Sequence, residues 1–176
     1  MAVHYQPGST VGGPAGEKTV LMLTTRTLMA EVSKNPHFVV TDGKNDTNAF
    51  DYVLSCFSLR TVGGTAFPAF FWIGETESES TIYKAGEVFS NLVPCQNTDC
   101  LHPWVQQLRP DGGFTVTCPC SIQSNFSPAC STDKFWGSIN ALTRLGWRPV
   151  TLCDFHAFQA IDRHLRESVS KILHKR

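Results

Sequence analysis

A net charge is missing from this chain: fifteen Lys and Arg stand against fifteen Asp and Glu in 176 residues. With no global field to gather a polyanion, non-specific nucleic-acid binding is disfavoured, and only a local patch could meet an anionic surface. Long hydrophobic runs are missing as well. The richest, Ala66-Phe-Pro-Ala-Phe-Phe-Trp-Ile73, has the length of a strand, well short of the roughly eighteen uninterrupted apolar residues that a bilayer span requires. The amino terminus shows no basic stretch followed by an apolar one. No signal peptide is therefore expected, and the chain reads as soluble and intracellular, with a targeting segment upstream still compatible if it is an excised domain. Catalytic signatures are absent in the same way: there is no Gly-x-Ser-x-Gly elbow, no His-Glu-x-x-His and no His-x-Glu followed by Pro-Cys-x-x-Cys. The pairs Gly12-Gly13, Gly63-Gly64 and Gly112-Gly113 lack the strand, loop and helix context that cradles phosphate, so they read as turns. No enzymatic activity and no cofactor are expected on these grounds.

What is present is most sharply written between Thr132 and Lys171. Phe135, Trp136, Ile139, Leu142 and Leu145 recur at the spacing of one buried helical face, with Ser131 or Thr132 as the N-cap. Gly146 can take the left-handed conformation that closes this helix, after which Trp147 to Cys153 reads as a strand. Asp154 then caps a second helix whose stripe of Phe155, Phe158, Ile161, Leu165, Val169 and Ile172 is expected to cover a sheet face. On that expectation Leu165→Ala costs about 2–5 kcal/mol. Arg163, Arg166, Lys171, Lys175 and Arg176, set against Asp162 and Glu167, give this helix a local charge of about +3, read as a solvated face that complements the helix dipole. The sharper alternative is a contact with anionic lipid or an acidic partner.

The remainder is strand-rich. The glycine-dense stretch 1–17 reads as a flexible arm, and residues 18–176 as a single domain, whose 41% hydrophobic content can supply a core without disulfides. Strands are expected at 19–25, 37–41, 52–61, 67–73 and 114–118, with Asp42-Gly43 and Asp111-Gly112-Gly113 as turns. Residues 26–34 fit a short helix or a strand continuation, and 81–93 a strand and a turn around Gly86. Glu75, Glu77 and Glu79 read as a solvated loop in preference to calcium ligands. Strands in front and helices behind predict an α+β fold: an antiparallel sheet with helices packed on one face and a C-terminal helix-strand-helix unit.

Seven cysteines are an odd number, and in a reducing compartment all can be thiols. Cys95, Cys100, His102, Cys118, Cys120 and Cys130 offer the donor types of tetrahedral zinc, but neither close pair has a two-residue gap, and Cys118-Pro-Cys120 holds its sulfurs awkwardly for joint chelation. Ordinary thiols are the expectation, with a zinc site or disulfides as alternatives. Cys153 with His156, or Cys100 with His102, would be the pairs for a thiol nucleophile, supported only by closeness in sequence.

At Phe70-Phe-Trp-Ile-Gly-Glu75, Cys118-Pro-Cys120 and Leu145-Gly-Trp-Arg-Pro-Val150, over roughly residues 18–174, the chain resembles the conserved domain of the apicomplexan immune mapped proteins. The resemblance implies a parasite antigen with no established enzymatic activity, held peripherally on a membrane in its full length by an acylated amino terminus. Met1-Ala2 departs from it by lacking the glycine that myristoylation requires, which would make this chain a soluble domain cut from behind the anchor. The resulting expectation is a noncatalytic interaction or antigen domain with an unknown protein partner. A zinc- or disulfide-braced binding domain is the alternative, and a cysteine hydrolase comes third.

Overall fold

Strands that are apolar along their whole length must be covered or paired, and the chain places them at the centre of a sheet. The structure, a computed structural model, describes residues 1–44, 51–61, 63–133, 136–154, 158 and 161–166. Its strands are β1 (Ala2–Gln6), β2 (Val20–Leu23), β3 (Phe38–Lys44), β4 (Val53–Arg60), β5 (Ala66–Gly74), β6 (Val105–Leu108), β7 (Phe114–Thr117), β8 (Ala129–Thr132) and β9 (Val150–Leu152). The α-helices are α1 (Arg26–Lys34), α2 (Glu79–Leu92) and α3 (Trp136–Arg144). The strands form one sheet in the order β6-β7-β1-β2-β5-β4-β3-β8-β9.

An α+β fold is what the order of elements predicts, but the sheet is mixed where an antiparallel one is expected. From β6 to β3 every neighbour is antiparallel, whereas β8 runs parallel to β3, and β9 parallel to β8. The cause is α3: a helix between β8 and β9 returns the chain to the same end of the sheet, so the next strand points the same way. Ser131 and Thr132 accordingly belong to β8 and not to a helix cap.

Three further expectations change. Residues 2–6, placed in a flexible arm, form β1 between β2 and β7, with Val3 and His4 fully buried. Asp42-Gly43 is no turn; β3 runs through it, pairing Asp42 with Cys56 and Gly43 with Ser55. The stretch expected as a strand and turn around Gly86 is α2, whose Ile82, Ala85, Phe89 and Leu92 share one buried stripe. Gly86 lies in this helix because a Cβ there would run into Leu145 Cδ1, just beyond α3. Ser78 opens α2 by accepting a hydrogen bond from the Thr81 amide at 3.2 Å. Ser78→Ala should lower the unfolding free energy by about 1 kcal/mol in a urea titration, the usual worth of an N-cap.

The core gathers on the sheet face that carries Phe57, Phe70 and Trp72. Phe57 has ring centroids at 6.0 Å from Phe70, 4.7 Å from Trp72, 5.2 Å from Phe89 and 5.2 Å from Trp147. Trp147 reaches this cluster because Gly146, at φ +81°, ends α3 in the expected left-handed conformation and turns the chain back toward the sheet. Trp136 does not join the buried face predicted for it: it is 74% exposed. Beyond β9, residues 161–166 are helical as predicted, yet Phe158, Ile161 and Leu165 are 70%, 56% and 57% exposed, so these stripe positions cover no sheet face. Phe155, His156, Val169, Ile172, Lys171, Lys175 and Arg176, like Phe135, lie outside the described residues. No helix among the described residues is long and apolar enough to cross a membrane.

Candidate metal centre

Where α2 ends, the backbone of β7's exit is bound to it. The Cys118 amide donates to Asn91 O at 3.0 Å, Ile122 N to Val93 O at 3.0 Å, and Ser121 Oγ to Ser90 O at 2.8 Å. These bonds place the turn from Cys118 to Ser121, closed by Ser121 N to Cys118 O at 2.8 Å, beside Cys95 as it leaves the helix. Proline at the second position of that turn presets its φ. A second turn runs from Asn97 to Cys100, with the Cys100 amide donating to Asn97 O at 3.2 Å and the Asp99 amide to Asn97 Oδ1 at 3.0 Å. Gln96 ties this loop to α1 through Ser33 O at 3.3 Å. His102 then adopts a left-handed backbone, φ 44°, and turns its ring back toward the first turn.

The result is a convergence of four donors. The Sγ atoms of Cys95, Cys100 and Cys120 and a ring nitrogen of His102 all lie within 4.8 Å of one another, and all four residues are half-buried. His102 Nδ1 stands 3.7 Å from Cys95 Sγ and 3.2 Å from Cys120 Sγ. At Cys95 a backbone hydrogen bond from Asn97 is outweighed by burial and the neighbouring thiols, and at Cys120 burial outweighs one from Cys95, so both thiols are held above the ordinary range. A backbone hydrogen bond from His102 leads in holding the Cys100 thiol below that range. Of the six residues the sequence offered as ligands, Cys118 and Cys130 stay out. Cys118 is buried with its sulfur 3.3 Å from that of Cys120, in position to donate to it. Cys130 sits in β8 among core side chains, and burial pushes its thiol up to about 12. All seven cysteines are free. No family model, no curated protein and no solved structure matches this chain.

The other candidates do not assemble. Glu75 accepts from the Thr19 amide at 3.0 Å and from Thr10 Oγ1 at 2.8 Å; these bonds, the Thr19 contacts foremost, lower its pKa to about 2. Glu79 turns to Arg144 at 2.7 Å, and burial raises the Glu77 carboxyl, so the three carboxylates face separate surroundings. Of the two thiol–imidazole pairs, Cys153–His156 falls partly outside the described residues, whereas Cys100–His102 belongs to the four-donor cluster, where His102 Nδ1 also meets Cys95 and Cys120. Sequence spacing could supply the donor types. It could not supply Cys95 against Cys120, a proximity made by the hydrogen bonds between α2 and the end of β7.

Proposed function

We propose that this chain is a noncatalytic interaction module that receives an amphipathic helix of a protein partner on one face of its sheet. The observation that carries this reading is the two-sided apolar character of the central strands. Leu21 and Leu23 of β2, Leu54 of β4, and Phe71 and Ile73 of β5 alternate with buried residues and stay half-buried on the opposite face. Register makes them one patch: Leu21 faces Ile73, which faces Leu54 on its other side, and Leu23 faces Phe71, which faces Cys56. Tyr5 and Asp42 continue these two rows outward as a more polar rim. An antiparallel sheet with a solvated face alternates apolar with polar residues, so apolar side chains on both faces call for a second layer.

On this reading α1, α2 and α3 all lie over the other face, which is supported by Met29, Val32, Ile82, Phe89 and Leu142 joining one core with Phe57 and Trp72. The noncatalytic part draws support from the three thiols gathered around a single imidazole, a donor set that closes on itself and leaves no position for substrate. The resemblance to the immune mapped proteins, antigens without established activity, points the same way.

The test compares Ile73→Lys and Leu165→Ala in the full chain. An open face binds the dye ANS in the native state; Ile73→Lys should abolish that signal at a cost of about 1–2 kcal/mol, because its side chain is half-buried, and Leu165→Ala should keep the urea-unfolding free energy within about 0.5 kcal/mol of the parent, as exposed sites do. A loss of several kcal/mol in both variants, with no ANS binding by the parent, would mean that the C-terminal helix already covers the face and that it is not a docking surface.

A further inference from the structure

We propose that Cys95, Cys100, His102 and Cys120 hold one zinc ion in a closed structural site, through three thiolate sulfurs and the Nδ1 of the imidazole. Zinc bonded to sulfur at about 2.3 Å in a tetrahedron sets its ligand atoms about 3.5–3.8 Å apart. The 3.7 Å from His102 Nδ1 to Cys95 and the 3.2 Å to Cys120 sit close to those edges before any ion draws the donors in. Three thiolates and one imidazole make a soft, four-donor set suited to zinc, while magnesium and calcium, which prefer oxygen, are disfavoured.

Two further features of the chain fit an occupied centre. In the loop after α2, Leu101 is 91% exposed while its neighbours Cys100 and His102 turn inward, the reverse of what burial of apolar surface alone would select. His102 also holds a left-handed backbone, a conformation that persists where the surroundings over-determine it. The Cys118 sulfur, 3.3 Å from that of Cys120, stands where an outer partner of a metal ligand would. Binding releases the three thiol protons to solvent and replaces them with zinc–sulfur bonds, so affinity should fall as pH drops. The ion would tie the loop through His102, in which residues 95–104 are all at least partly exposed, to the end of α2 and the exit of β7, which Leu92, Val93 and Val116 anchor in the core.

The experiment is zinc analysis of the full chain purified under reducing conditions, followed by cobalt replacement. One zinc per chain is expected, and the cobalt form should show the intense visible bands of a tetrahedral centre with a thiolate charge-transfer band. Cys120→Ser should lose most of the metal on dialysis against a mild chelator, Cys130→Ser should retain it, and His102→Cys should retain it with a cobalt spectrum shifted toward four sulfurs. Should Cys120→Ser fail to fold, the parent and His102→Cys still decide the matter. The proposal is overturned by a parent that takes up neither zinc nor cobalt, by a mass showing disulfides among these cysteines in protein prepared without air, or by a folded Cys120→Ser that keeps its full metal content.

Discussion

Phe57→Ala should lower the unfolding free energy by about 3–5 kcal/mol, much of the stability of an ordinary domain. The ring is fully buried and lies within aromatic contact of Phe70, Trp72, Phe89 and Trp147, which arrive from β5, α2 and the joint after α3. Side chains held by three separate elements cannot close together over the space it leaves. The penalty therefore includes a cavity as well as lost transfer free energy. Phe71→Ala, on the other face of the neighbouring strand, removes the same side chain from a half-buried position and should cost much less. Parallel urea titrations of the two variants test the assignment of faces, and equal losses would contradict it.

The second large effect is a dependence on pH centred on His4. Burial, followed by the nearby positive charges of Lys84 and Arg109, lowers its pKa from 6.5 to about 4. One ring nitrogen meets Thr115 Oγ1 at 2.6 Å, and Nε2 has no hydrogen-bond partner among the described residues, so a proton added there would be buried without an acceptor. Below pH 6.5 the unfolded chain takes up a proton that the folded one refuses. Stability from this group is thus complete above about 6.5 and is lost as pH falls toward 4, by about 3 kcal/mol in all. Unfolding free energies measured from pH 7.5 to 4.5 should fall more steeply for the parent than for His4→Leu. Identical slopes would show that His4 ionises freely in the fold.

How far the sequence could be read depended on whether a signal was local. β2 and β5 are continuous apolar runs, and Gly146 at the end of α3 is a local demand for positive φ; each was legible. β1 was not, because five residues beside a glycine-rich stretch become a strand only through β2 and β7, the latter more than a hundred positions away. The period of Ile82, Ala85, Phe89 and Leu92 was visible, but Gly86 read as a breaker until Leu145 supplied its reason. The stripe at Phe158, Ile161 and Leu165 announced an amphipathic helix without saying what it would meet. The four ligands are all among the six donors that the sequence offers, whereas the choice of these four comes from the turns that α2 and β7 hold side by side.

The place of β1 also governs the order in which this chain can fold. His4 and its partner Thr115 lie 111 positions apart, so β1 is made well before β7. Until β7 is made, β1 can pair with β2 alone and exposes its other edge, a row of unsatisfied amides and carbonyls open to any passing strand. Closing the long connection is entropically slow, so the β6–β7 hairpin should dock in the last and slowest phase of refolding. A chain begun at residue 7 would lose the strand that joins this hairpin to the sheet, and with it the anchor for one side of the thiol cluster.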